Sequence, residues 1–156
     1  MSVTAPAPTS RTSFVPCPEG LHQAVCVDVI DLGIVASRFG DKPKVRLVWQ
    51  VAAVNPTTGR RFDVRKLYTL SLHTKAALRK DLEGWRGKKF AEDEIRAGFN
   101  LERLLGANCQ IHVVHDVEDD GAVWANVAAI VPAPKGVVKL FPNGYTRAQD
   151  RDRRSA

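Results

Sequence analysis

Nothing in this chain of 156 residues approaches the ~18 consecutive apolar residues that a membrane-spanning helix needs. Its N-terminus, MSVTAP, has no basic stretch followed by an apolar one, so no secretory signal is expected and a soluble cytoplasmic protein is. Cysteine is scarce: Cys17, Cys26 and Cys109 are an odd number with no Cys-x-x-Cys pair, which argues against both a disulfide framework and a cysteine zinc site. Proline is nearly missing from the middle, since seven of nine lie outside residues 22–131. Proline cannot donate to a strand ladder, so this distribution marks a folded centre with a tail at each end. With 44% hydrophobic and 26% charged residues, the centre has the composition of a globular domain.

The boundaries follow. Residues 1–20, rich in Ser, Thr, Ala and Pro, are expected to be a flexible tail, 21–133 a domain, and 134–156 a basic tail whose charged last stretch, 145–156, is expected to be disordered when free. Charge is uneven along the chain: −2 over 1–37, +6 over 38–70, +4 over 71–90, −6 over 91–131 and +4 over 132–156. The net +6 therefore conceals a basic block at 38–90 opposed by an acidic one that includes Glu118, Asp119 and Asp120.

Periodicity orders the elements. Residues 23–36 alternate as a long strand in which Gly33 marks a bulge or bend. After a turn at 39–43, residues 44–54 put Val45, Leu47, Trp49 and Val51 on one face and Lys44, Arg46 and Gln50 on the other. A turn at 55–59 leads to a third strand at 61–70. The period then becomes helical over 74–85, with Leu78, Leu82 and Trp85 in one stripe, Ser71 or Thr74 as N-cap and Gly87 beyond the end. A short helix at 92–97 and a turn at 101–105 precede strands at 108–117 and 122–131, joined by the hairpin signal Asp119-Asp120-Gly121. The order β-β-β-α-β-β, with the helical insertion between strands 3 and 4, is that of a mainly-β OB-fold, a five-stranded Greek-key barrel, and it is an order that other small barrels and α+β folds can share.

OB-folds bind oligonucleotides and oligosaccharides around strands two and three. Here those strands and their turns carry Arg38, Lys42, Lys44, Arg46, Arg61, Arg65 and Lys66, interleaved with Phe39, Phe62 and Tyr68. Single-stranded nucleic acid calls for both ingredients: cations along the phosphate path and aromatic faces for unpaired bases. These ten residues are the candidate site. Trp49 and Trp85 fall on apolar stripes and are read as core, whereas Phe39 sits in a polar turn. The third strand can present either Phe62, Val64, Lys66 and Tyr68 or Arg61, Asp63, Arg65 and Leu67. A basic strand face can also be merely solvated, or a guard against edge pairing. The acidic hairpin at 118–120 occupies a loop that often closes an OB-fold cleft, where its carboxylates would repel phosphate.

Two other classes compete. His112 and His115 with Asp116 and Glu118 suggest a metal-dependent nuclease, but residues i and i+3 of a strand point to opposite faces and cannot share one ion without a bulge. No phosphate loop, nucleophile elbow or Cys/His pair at catalytic spacing is present, so neither a catalytic residue, a metal nor a cofactor is expected. An OB-fold can also serve purely as a protein-interaction module, and the acidic block of one copy could meet the basic block of another in a homodimer.

Three stretches, GDKPKVRLVWQ at 40–50, YTLSLHTKAALRKDLEGWRGKKF at 68–90 and FNLERLLGANCQIHVVH at 99–115, resemble a family of small proteins encoded by phages, prophages and related mobile elements. That family is described as single-stranded DNA-binding or replication-associated OB-fold proteins, and the likeness spans about residues 20–136. The resemblance implies an OB-fold, sequence-independent single-stranded DNA binding in replication or recombination within a bacterial host's cytoplasm, replication or recombination proteins as partners, and no catalytic activity. It supplies no residue-level site map. The net basic end of this chain departs from the acidic tip by which better-known bacterial single-strand binders recruit partners.

Overall fold

Apolar alternation interrupted twice makes the first strand both long and bent. In the computed structural model, which describes residues 15–155 and side chains through residue 151, β1 spans Gly20–Val35. Its register against β2 (Lys42–Val54) shifts between Cys26 and Asp28 and again between Asp31 and Gly33. The second shift lies at the glycine singled out by the sequence. At the first, the chain before β4 fills the gap: Cys26 N–H donates to Ala107 O at 3.0 Å and Gly106 N–H to Cys26 O at 2.9 Å. β3 is Arg61–Thr69, β4 Asn108–Val117 and β5 Val123–Pro132.

The strands form one antiparallel sheet in the order β3-β2-β1-β4-β5. The protein is thus mainly β with few helices, compatible with a barrel-like fold, but no ladder among the described residues joins β3 to β5. Where these two edges approach each other lies a cleft of about 560 Å³, lined by Phe62, Val64, Arg65, Trp124 and Ala125 among others.

Between β3 and β4 come α1 (Ala77–Arg86), α2 (Glu92–Ala97) and a 3-10 turn (Leu101–Leu104). The stripe Leu78, Leu82 and Trp85 is buried as its spacing requires, and Trp85 meets Trp49 with ring centroids 5.9 Å apart. Trp85 Nε1 donates to Asn108 O at 2.9 Å, which ties α1 to the start of β4. Neither Ser71 nor Thr74 caps α1; Ala76 occupies that position and makes no side-chain cap bond. Ser71 instead accepts from His73 N–H within the preceding turn, which delays the helix. Gly87 ends the helix in the left-handed conformation, φ 75°, a C-cap that favours glycine.

Parts of both tails are packed on the domain. The expectation for residues 1–14 lies outside the described residues, but from Val15 the chain packs onto the core: Cys17 is buried, and its carbonyl is bonded to His115 Nε2 at 2.6 Å. At the other end, residues 138–148 are not free of the domain but cross its outer face as a strap, continued by α3 (Ala148–Ser155). Leu140 and Tyr145 of the strap pack on Val25, Val27 and Val48, forming a second small core outside the sheet. No helix among the described residues is long and apolar enough to cross a membrane.

Candidate nucleic-acid interface

β2 alternates strictly along the stretch that concerns function. Val45, Leu47, Trp49 and Val51 point into the main core, which sends Lys44, Arg46, Val48 and Gln50 to the outer face. β3 pairs with it so that Arg65 stands opposite Val48, Leu67 opposite Arg46 and Thr69 opposite Lys44. Lys42, Lys44, Arg46 and Arg65 consequently share one face with Leu67, which is half exposed. Lys44 Nζ donates to Thr69 Oγ1 at 2.8 Å across the two strands, a bond that orients the ammonium without neutralising it. No ion pair among the described residues engages any of these four cations.

The β1–β2 turn extends this row. Ser37 braces it, donating to Gly40 O at 2.7 Å and accepting from Phe39 N–H at 3.2 Å. Phe39 is thereby left 81% exposed, with the Arg38 guanidinium 5.7 Å from its ring centroid. An aromatic face at the tip of a basic row is what a base needs for stacking.

The remaining candidates divide differently. Phe62 and Tyr68 are 7% and 1% exposed and belong to the main core, so neither ring offers a face to a ligand; this corrects the stacking role expected of them. Their alternation with Val64 makes them the inward set of β3, and Tyr68 finds its polar partner inside, donating to Asp81 Oδ2 on α1. Burial first, and then that carboxylate, push the Tyr68 hydroxyl far above the ordinary phenol range, so it remains a protonated donor. Lys66 reaches the same Asp81 oxygen at 2.8 Å and lies 5.3 Å from the Tyr68 ring, which directs its charge to the helix rather than to the outer row. Arg61 donates to Phe141 O of the strap at 2.7 Å. β3 thus presents Arg61, Asp63, Arg65 and Leu67 outward.

Around the row lie features that periodicity did not single out. Leu32, Ile34 and Val35 are exposed along the end of β1 and Leu70 follows β3; of these Val35, paired with Lys42, stands on the face of the row. The strap borders the row on its other side. One signal for the strap was present: Val25, Cys26 and Val27, and again Leu47, Val48 and Trp49, are apolar on both faces, as in strands covered on both sides.

The histidines do not assemble a metal site. His112 is exposed on one face of β4 while His115 turns to the other, toward Cys17 O, and no group of three His, Cys, Asp or Glu comes together among the described residues. The acidic hairpin is ordered by bonds of Glu118 N–H to Ala122 O and Gly121 N–H to Glu118 O. Its base, with Asp116, Glu118 and Trp124, lines a shallow cavity, and Trp124 also lines the cleft beside Arg65. Trp124 therefore lies between the base of the acidic hairpin and the cleft beside Arg65.

No protein-family model and no curated protein matches this chain.

Proposed function

We propose that this is a non-enzymatic single-stranded DNA-binding protein of the phage or mobile-element type, with an OB-fold opened between β3 and β5, acting in replication or recombination. The observation that carries the reading is the outer-face row of Lys42, Lys44, Arg46 and Arg65, free of ion pairs among the described residues and ending at exposed Phe39. Cations fixed along adjacent strands can follow a phosphate backbone, and one exposed ring can stack on any base, so the arrangement favours single strands without sequence choice. The strand order supports the fold assignment: three consecutive hairpin-linked strands with the fourth returning beside the first is a Greek key.

The test is titration of fluorescent oligo-dT and of a duplex of equal length at several salt concentrations. Four phosphate contacts on a single strand give a log–log salt slope of about −3, and oligo-dT is bound more tightly than duplex. Equal affinity for both would reduce the reading to a polycation effect, and no binding at ~50 mM salt would end it. Phe39→Ala should weaken oligo-dT binding by about 1–3 kcal/mol with the salt slope unchanged, because it removes stacking and no charge. Labelled DNA left intact with Mg²⁺ or Mn²⁺ disposes of the nuclease alternative; cleavage would revive it.

A further inference from the structure

The strap is held by bonds spread over four strands. Asn108 of β4 exchanges two with Leu140, its Oδ1 accepting from Leu140 N–H at 2.8 Å and its Nδ2 donating to Leu140 O at 3.0 Å. Gln50 of β2 does the same with Asn143, at 2.8 and 2.9 Å. Gln23 of β1 donates to Val138 O at 2.7 Å, and Arg61 of β3 holds Phe141 O. The chain then returns to β1, where Asp28 accepts from Tyr145 Oη at 2.8 Å, Arg147 Nε at 3.1 Å and Ala148 N–H at 2.9 Å.

Asp28 stands on the same face as the basic row: it is paired with Val48, which is in turn paired with Arg65. Bare, its carboxylate would meet an approaching phosphate with like charge. Arg147 offsets that charge at 3.1 Å and also pairs with Glu102 at 3.1 Å, so that one guanidinium is shared between the buried Asp28 and the exposed Glu102. Residues 138–148 contain Lys139 and Arg147 and no acid.

We propose that the strap is a fixed part of the nucleic-acid interface, with Arg147 as a positioning residue that cancels Asp28, so that a single strand runs over the strap and not beneath it. This rests on the single-strand reading above. The opposite arrangement is a lid that must leave before nucleic acid can reach β1 and β2, and the two predict opposite results.

In Arg61→Cys/Phe141→Cys, joined by a short bis-maleimide, the strap cannot leave. The added thiols are the reactive ones, because Phe141 is exposed and Arg61 only part-buried, whereas Cys17, Cys26 and Cys109 are buried and burial pushes their thiols well above the ordinary range. A fixed strap gives oligo-dT affinity within about twofold before and after cross-linking; a loss of tenfold or more on cross-linking overturns the proposal in favour of a lid. Arg147→Gln uncovers Asp28 and should weaken binding about tenfold at ~50 mM salt, the effect of roughly one single-strand phosphate contact. Asp28→Asn added to it should recover most of that loss, which mere loosening of the strap would not. Tighter binding by Arg147→Gln would also overturn the proposal. Failure of the unmodified protein to bind oligo-dT overturns both readings, whereas binding abolished only by the cross-link overturns this one alone.

Discussion

At Asp28 a fourth donor, the N–H of Val29 at 2.9 Å, joins the three that come from the strap. Burial by itself would push this carboxyl up, but the bonds from Ala148, Tyr145 and Arg147 outweigh it and hold the group below the usual Asp range. A carboxyl whose folded-state pKa lies below its unfolded value adds stability at every pH above ~3.9 and loses it as pH falls through the folded value. Thermal melts from about pH 7 downward should therefore show an Asp28 contribution that is intact to the ordinary Asp range and lost only below it, and that is smaller in Arg147→Gln. A contribution already gone above ~pH 5 would mean that Asp28 is not held ionised. None of this was legible in the sequence, where Asp28 sits in an apolar run and its partners lie 117 to 120 residues away. Phe62 and Tyr68 mark the same limit: their alternation with Val64 and Lys66 left the face of β3 open, and only the Asp81 carboxylate on α1 explains why Lys66 joins the inward set.

Elements were more legible than the contacts between them. The five strands, both short helices and the 3-10 turn lie within a few residues of where period and turn chemistry put them, because each is set by local alternation. The face on which α1 docks was also readable from Leu78, Leu82 and Trp85, but not its closeness to β5. A Cβ at Gly84 would stand 2.6 Å from the carbonyl oxygen of Ile130, so helix and strand approach nearer than any side chain allows. Gly84→Ala should gain up to about 1 kcal/mol of helix propensity and lose about 1–3 kcal/mol through overpacking, for a net destabilisation read by urea unfolding. Ala at the exposed neighbour Lys80 is the control, with an effect within about 0.5 kcal/mol. A stabilised Gly84→Ala would show that α1 can move off β5 at little cost. The strap could not be read as an element at all, since it is neither periodic nor regular; only the strand residues beneath it, apolar on both faces, announced a cover.

The sign and placement of charge decide what the whole molecule can approach. The basic block at 38–90 divides in the fold: part faces outward as Lys42, Lys44, Arg46 and Arg65, while Lys66, Arg79 and Arg86 are spent on carboxylates of α1 and α2. The acidic block divides as well. Glu94 holds Arg86, Glu102 meets Arg147, and the hairpin acids Glu118, Asp119 and Asp120 remain exposed, Glu118 lining a cavity with Trp124. An exposed carboxylate acts over about one Debye length, ~10 Å at 0.1 M salt, so a hairpin whose base shares Trp124 with the cleft beside Arg65 should repel the end of a bound strand that reaches that cleft, and only when salt is low. Glu118→Gln/Asp119→Asn/Asp120→Asn should then tighten oligo-dT binding severalfold at ~50 mM salt and leave it unchanged near ~0.5 M, the opposite of any substitution in the Lys42–Arg65 row. The same titration reads both. Unchanged affinity at low salt would mean that the strand's path stops short of the β3 edge, and the interface would then end at Arg65 rather than continue into the cleft beside Trp124.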